Sequence, residues 1–382
     1  MSSHKNTHKE LPDLQTSSGD PVFAVILAGG SGTRFWPRSR QSLPKQLCAI
    51  SNPDKTMIVE TLERIEDFIP KERRLIVTHK DQKVRTLELI SELCPRVLAE
   101  PCAKNTAAAL LLAALDIKSR CSPEEKPFMI SLHADHVIRD RDAFIESLQK
   151  GLAIAEKSYL TLIGLTPSSP ETGYGYIKKG RALSESNSFQ VESFQEKPSL
   201  DKAKQYMEQG DYLWNSGLFV WQVETLLEEF RKHAPKLLEQ LETLFSSLAT
   251  RKLSVDQLDV SELAQTYELL DSIAIDNAIL EKSSNVAVIE ADFGWLDLGS
   301  WSALEQVLEL DSLGNLRQGE TFLFDTQRST VVSDGPFVAV LGVKDLVVVA
   351  DKGCILVCHK DKAQDVKKVV EHLKKIQRPD LI

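Results

Sequence analysis

The residues best able to do chemistry begin where an apolar run, Val22 to Ala28, stops at Gly29-Gly30-Ser31-Gly32-Thr33-Arg34. Glycines let backbone N–H groups approach an anion closely, as phosphate-cradling nests do. Arg34 and Lys45, the latter in Pro44-Lys45-Gln46, could neutralise a triphosphate and its departing pyrophosphate. The plainer alternative is a strand-to-helix turn carrying solvated basic residues. The density of glycine, hydroxyl, arginine, proline and lysine favours the chemical reading. Two familiar loops are excluded, because the segment lacks both a Gly-Lys-Ser/Thr ending and the third glycine of a dinucleotide fingerprint. The missing glycine also disfavours a nicotinamide-dependent dehydrogenase.

Carboxylates come next. His133-Ala134-Asp135-His136 follows the apolar run Phe128 to Leu132, and open α/β sheets bind ligands beyond the carboxyl ends of their strands. Asp135 there could hold a hard cation, or simply cap a following helix. His133 and His136 could join it in a zinc site. Without a third strong ligand, Mg²⁺ is favoured, since it takes one or two carboxylates plus substrate phosphates. Asp297, among small and aromatic residues in Phe293 to Trp301, could be the partner carboxylate; an Asx-turn or a cap near Ser300 is the simpler account. Glu196-Lys197-Pro198 offers sugar hydroxyls a carboxylate and a phosphate a lysine, or is a solvated strand end. Asn215, in Trp214-Asn215-Ser216-Gly217, can both donate and accept, as hydroxyl recognition requires, although Asn-Ser-Gly is also a good turn.

These residues need a scaffold. Short apolar runs at 22–28, 74–78, 128–132 and 160–165 alternate with helical patterning such as Ala107 to Lys118. That alternation predicts βαβ units and an α/β fold with a mostly parallel, mixed, Rossmann-like sheet flanked by helices. Tyr174 to Lys197 reads as shorter strands and turns forming a substrate-facing insertion. Leu218 to Val223 resumes a strand before helix around Glu224 to Leu248. Beyond about residue 310 the evenly spaced runs TFLF, STVV, FVAVLGV, DLVVVAD and CILVC predict a small β domain, a short β-helix-like stub closed by an amphipathic helix from Ala363 to Lys375. The expected division is a disordered polar tail (1–20), a catalytic domain (21–310) and the C-terminal β domain (311–382). No clear internal repeat is visible.

Composition sets limits on partners. With 382 residues there is length for two cores, and a net charge of -9 argues against broad binding to nucleic acid or anionic membrane. No apolar run has the length of a membrane span and the first twenty residues lack the apolar core of a signal peptide, so a cytoplasmic protein is expected. The six cysteines show no disulfide or zinc-ribbon spacing and read as free thiols. Cys354 and Cys358 fit one face of a strand better than a metal site.

Taken in order, LAGGSGTRFWP, PKQ, EPCAKNTAAA, HADHVI, GYGYI, EKP, WNSGLF and GWLDLGSW resemble the sugar nucleotidyltransferases, and within them the bacterial type of mannose-1-phosphate guanylyltransferase. The resemblance covers roughly residues 22 to 301, and GVKDLVVVAD and KDKAQDVKKVV are similar to that type as well. It implies GTP and α-D-mannose 1-phosphate as substrates, GDP-mannose and pyrophosphate as products, and Mg²⁺ as cofactor. Leu27, Ala28, Gly29, Gly30, Ser31, Gly32, Thr33, Arg34, Lys45, Glu100, Asn105, Thr106 and Asp135 would bind the nucleotide. Gly173, Tyr174, Glu196, Lys197 and Asn215 would bind the sugar phosphate, and Asp135 and Asp297 the metal. Arg34, Lys45, Asp135, Lys197 and Asp297 would carry the reaction. Glu100 could select guanine, whose N1–H and exocyclic amine both donate to one carboxylate, or could merely end a strand before Pro101. Many relatives carry a downstream cupin domain with phosphomannose isomerase activity; none is expected here. A homodimer is expected from the resemblance, with the C-terminal strands able to supply the contact.

Such chemistry needs no general base, because a sugar phosphate is mostly dianionic at neutral pH, with a second pKa of ~6. Rivals are a nucleotidyltransferase for another sugar 1-phosphate or base, and a silent sugar-nucleotide sensor. The second is disfavoured by the joint presence of Arg34, Lys45, Asp135, Lys197 and Asp297.

Overall fold

A computed structural model describes residues 14, 16–30, 32–94, 96–258 and 260–382. Most of the expected tail and Ser31 of the glycine loop lie outside the described residues. The described part of the tail is not loose. Leu14 is buried in the core, and the Ser17 hydroxyl donates to Glu156 at 2.8 Å, so an apolar residue among polar ones finds a partner surface that sequence pattern does not reveal.

The apolar runs become strands β1 (Val22–Leu27), β2 (Arg74–His79), β3 (Arg96–Glu100), β4 (Phe128–His133), β5 (His136–Ile138) and β6 (Leu160–Leu165). There follow β7 (Tyr176–Ala182), β8 (Ser188–Gln195), β9 (Tyr212–Gln222), β10 (Val286–Ala291) and β11 (Trp295–Asp297). Nine of them form one mixed sheet in the order β3-β2-β1-β4-β9-β6-β10-β8-β7. The β3-β2-β1-β4 half is parallel, whereas β9 runs antiparallel to both β4 and β6. The predicted insertion, β7 and β8, continues this sheet instead of standing apart from it. Because the chain passes from β1 to β2 on one side and β4 lies on the other, their carboxyl ends form a switch point, where such sheets open a crevice.

Helices cover both faces. On one lie α1 (Met57–Ile65), α2 (Lys83–Ile90), α4 (Arg141–Ala155) and α5 (Leu200–Gln209). On the other lie α3 (Asn105–Arg120), α6 (Val223–His233), α7 (Pro235–Arg251) and α8 (Val260–Leu269). In α3 every residue from Ala107 to Ile117 is buried; all but Asp116 are apolar, as a helix enclosed by sheet and helices requires, and Asp116 is paired with Arg96. The predicted helical stretch 224–248 is broken at Ala234, because Pro235 at a first helical position cannot continue the preceding ladder.

Six more strands, β12 (Leu316–Gln318), β13 (Thr321–Phe324), β14 (Thr330–Asp334), β15 (Val338–Leu341), β16 (Leu346–Asp351) and β17 (Cys354–His359), build the C-terminal β domain. The chain alternates between a β12-β14-β16 parallel ladder and a β13-β15 parallel pair, and β17 closes the first sheet antiparallel to β16. This is a short parallel coil without a sequence repeat, and its central strands β14 and β16 are buried along nearly their whole length. Residues 360–366 and α9 (Lys367–Lys375) then return to the catalytic part. Val366, Val370 and Leu373 of that return share a buried cluster with Phe35, Trp36 and Trp301. A buried ion pair, Arg38 to Asp351 at 3.0 Å, crosses the same junction. All six cysteines are free thiols.

Candidate active site

The exit of β1 is clamped before the glycines begin. The Ala28 amide donates to the Val77 carbonyl at 2.8 Å, and the Ala28 carbonyl accepts from Gln46 Nε2 at 2.6 Å and Thr78 Oγ1 at 3.0 Å. Beyond this fixed point a side chain at Gly29 or Gly30 would meet nothing, leaving open space above the backbone. Gly32 is different. It sits at φ +56°, and a Cβ there would stand 2.2 Å from Lys45 Cβ. Its absent side chain therefore lets the loop lie against Lys45. Gly32→Ala is expected to displace Lys45 and add about 1–2 kcal/mol of left-handed strain, lowering both melting temperature and turnover; a variant with wild-type turnover would show that the close approach is not needed.

Asp135 lies in the tight turn between β4 and β5, held by the Ala134 amide donating to the Leu27 carbonyl at 3.0 Å. It caps no helix: α4 begins at Arg141 and its cap is Asp140. Asp297 is likewise not a cap but the last residue of β11, which pairs antiparallel with β5 so that Asp297 faces His136. That pairing brings two carboxylates far apart in sequence to one buried ammonium, with Lys45 Nζ 3.0 Å from Asp135 and 3.5 Å from Asp297. Burial acts to raise the Asp135 pKa, but the Lys45 ammonium outweighs it and holds the carboxyl below its ordinary range.

His133, Asp135 and His136 cluster with potential ligand atoms within 4.8 Å of one another. His136 Nδ1 accepts from the Trp295 indole N–H at 3.1 Å, and burial first, then His133, keeps this imidazole neutral. A neutral ring that accepts at Nδ1 carries its proton on Nε2 and has no lone pair left for a metal. That leaves His133 as the one imidazole of the cluster with a nitrogen to offer, beside carboxylate oxygens that suit a hard cation better than zinc.

Three cavities meet at this cluster. The first, about 300 Å³, is lined by Leu27, Ala28, Gly29, Gly30, Glu100, Asn105, Thr106, His133 and Asp135. The second, about 340 Å³, is lined by Gly32, Thr33, Arg34, Lys45, Asp135, Asp297 and Lys367. The third, about 160 Å³, is lined by Thr106, His133, Gly173, Tyr174, Gly175, Glu196, Asn215, Asp276, Trp295 and Asp297. Asp135 belongs to the first two and Asp297 to the last two. A molecule filling all three bends around the carboxylates.

Glu100 ends β3 in the wall of the first cavity, with Oε1 buried and without a hydrogen-bond partner. Burial pushes its carboxyl up to about 7, against the opposing pull of the Tyr267 hydroxyl. In the third cavity Asn215 donates to Asp276 Oδ1 at 3.0 Å and accepts from the Gly217 amide at 3.1 Å. Asn215 belongs to a strand, since β9 begins at Tyr212; the Ser216 hydroxyl donates to the Ile163 carbonyl, supporting the irregular stretch where a turn is the simpler expectation. Burial, with Glu196 adding to it, pushes Asp276 up to about 6.

Every described residue expected to bind nucleotide lines the first or second cavity. Of those expected to bind sugar phosphate, Gly173, Tyr174, Glu196 and Asn215 line the third. Lys197 does not. Its exposed ammonium lies 2.8 Å from the Glu196 carboxylate, beside the cavity. Sequence reading missed Asp276, Gly175, Trp295 and Lys367. Gly175 was legible in principle from Gly-Tyr-Gly-Tyr: a Cβ there would stand 2.5 Å from Glu196 Oε2. Asp276 opens a single π-helical turn (Asp276–Leu280), a form frequent at functional sites, but no spacing rule marks it.

The fold and the site define a nucleotidyl transferase: that family's model matches residues 23–312, and the model of the MannoseP isomerase/GMP-like beta-helix domain matches residues 319–373. The chain is 36% identical over 359 residues to the mannose-1-phosphate guanylyltransferase of Escherichia coli K12, covering 92% of this chain and 73% of that one. Identity to the Klebsiella pneumoniae protein of the same name is 34% over 363 residues, covering 94% and 75%. The chain belongs to the mannose-1-phosphate guanylyltransferase family. Among solved structures, the Thermus thermophilus protein named mannose-1-phosphate geranyltransferase superposes with TM-score 0.82 at 34% identity, covering 92% of this chain and 99% of that one.

Proposed function

We propose that this chain transfers GMP from GTP to α-D-mannose 1-phosphate, giving GDP-mannose and pyrophosphate. The observation that carries the reading is the meeting of three cavities at Asp135 and Asp297, the two carboxylates that Lys45 pairs with. The base and ribose occupy the first, with Glu100 accepting from guanine; the β- and γ-phosphates occupy the second; mannose occupies the third. Glu196 and Asp276 accept from its hydroxyls and Asn215 does either. Lys197, freed from Glu196, meets the sugar phosphate.

Asp135 and Asp297 supply two hard oxygens to one point, which fits Mg²⁺. When bound there, the ion would neutralise phosphate charge and orient the α-phosphate. The protein's own groups do the remainder. Lys45, buried and fixed by Gly32, offsets charge at the centre, and Arg34, exposed on the second cavity, meets the departing oxygens. A sugar-phosphate oxygen forms a bond to the α-phosphorus as the bond to the bridging oxygen breaks, its electron pair leaving with pyrophosphate. No covalent intermediate is needed; catalysis is positioning and electrostatics.

The proposed setting is the cytoplasm. No described helix is long and apolar enough to cross a membrane. The test is pyrophosphate release with Mg²⁺, crossing GTP, ATP, UTP, CTP and dTTP against mannose 1-phosphate and glucose 1-phosphate. Release chiefly from GTP with mannose 1-phosphate is expected. A different preferred pair would overturn the substrate assignment, and no release from any pair would favour a binding sensor.

A further inference from the structure

The second cavity has one wall that the catalytic sheet does not supply. Lys367, the first residue of α9, lines it together with Gly32, Thr33 and Arg34, and it comes from the segment that follows the C-terminal β domain. Its neighbour Lys368 pairs with Asp365 at 2.9 Å, whereas Lys367 is exposed and has no ion-pair partner among the described residues. The position is not a loose surface accident. Val366 precedes it in the buried cluster and Val370 follows, both packed with Phe35 and Trp36, so the helix face that carries Lys367 is fixed directly against the chain segment carrying Arg34. Gln364, one turn earlier, approaches the position of a Cβ on Gly299, which lines the same cavity.

We infer that Lys367 binds the β- and γ-phosphates of the nucleotide and the pyrophosphate that leaves, so that the C-terminal domain completes the phosphate cavity with a cation of its own. The inference rests on the placement of the triphosphate proposed above. A cavity holding Arg34 and Lys45 also holds Asp135 and Asp297; of these cations Lys45 is engaged by both carboxylates. Pyrophosphate spreads its charge over both of its phosphates, and beyond Lys45 and Arg34 the cavity lining offers it one further cation, Lys367.

The reaction run backward isolates this contact, because pyrophosphate is then a separate substrate: one of its oxygens bonds to the α-phosphorus of GDP-mannose while the bond to mannose 1-phosphate breaks. In Lys367→Met the KM for pyrophosphate is expected to rise roughly tenfold or more, as loss of a charge-assisted contact implies, while the KM for GDP-mannose stays unchanged. Lys367→Arg should recover most of the loss. Lys368→Met, an equal change of charge one residue away, should behave like wild type. An unchanged pyrophosphate KM in Lys367→Met, or an equal rise in Lys368→Met, would overturn the inference. Wild-type protein that forms no GTP from GDP-mannose and pyrophosphate would overturn the parent reading and this one with it, a result distinct from an active wild type matched by its variant.

Discussion

Asp135→Asn retains the fold and loses on the order of 10³-fold in turnover, the scale seen when one preorganised electrostatic group is removed from an active site. Asp135 caps no helix and sits, partly exposed, in a short turn whose backbone is held by Ala134. The substitution therefore leaves the scaffold intact. What it removes is one of two charged oxygen ligands, while Lys45 keeps a single charged partner, Asp297 at 3.5 Å. A neutral amide offers one oxygen and no charge, so raising Mg²⁺ should not restore the rate. Steady-state pyrophosphate release titrated with Mg²⁺ is the measurement, with circular dichroism melting alongside. Full turnover at saturating Mg²⁺ would remove Asp135 from the metal site. Asp297→Asn should behave alike, and the double variant should lose less than the product of the two, because both act on one ion.

Glu100→Gln is expected to lower kcat/KM for GTP by about 100-fold and to narrow the preference for GTP over ATP, since a site built to hydrogen-bond a group discriminates strongly against ligands lacking it. The amide accepts through one oxygen and presents an NH₂ to a base edge that itself donates. A pH dependence accompanies this. Burial has raised the carboxyl from an ordinary 4.5 to about 7, and only the ionised form can accept from two guanine donors. The KM for GTP should therefore rise about tenfold per pH unit below 7 and level off above it; in Glu100→Gln it should be flat. For stability the sign is opposite. Folding favours the protonated form, so this contribution is full below pH 4.5 and is lost as pH rises through about 7. A wild-type GTP affinity independent of pH, or an undiminished GTP preference in the variant, would remove Glu100 from the base site.

The parts of the site legible in sequence are those where local backbone and chemistry coincide. The glycine loop after β1 is such a case, since its strand, its positive φ and its arginine all lie within a dozen residues. Asp135 was also legible, because strand ends are readable and open sheets bind there. The pairing of Asp297 with Asp135 was legible only as chemistry: the β5-β11 contact that creates it involves three-residue strands, too short to leave a periodic trace. Asn215 looked like part of a turn because Asn-Ser-Gly fits one, and the ladders to β6 and β7 override that local preference. Asp276 left no signal, since it sits in a helical stretch whose pattern is set by burial on its other face, and Lys367 lies in KDKAQDVKKVV, where nothing local tells a lysine that lines the cavity from its neighbours. Lys197 shows the converse, a residue well marked by its motif whose side chain rests outside the cavity against Glu196.

The junction between the two β architectures bears on how the molecule is made. The Trp36 indole donates to the Leu381 carbonyl, 345 residues later, and Phe35 and Trp36 pack on Val370 and Leu373. While the polypeptide is emerging from the ribosome, the strand and loop proposed to contact phosphate are among the first parts available, yet the apolar cluster beside them is completed only when residues beyond 366 arrive. Contacts so distant along the chain close slowly. Competence for turnover should thus lag well behind formation of the central sheet during biosynthesis, and a nascent catalytic half would present Phe35 and Trp36 to chaperones.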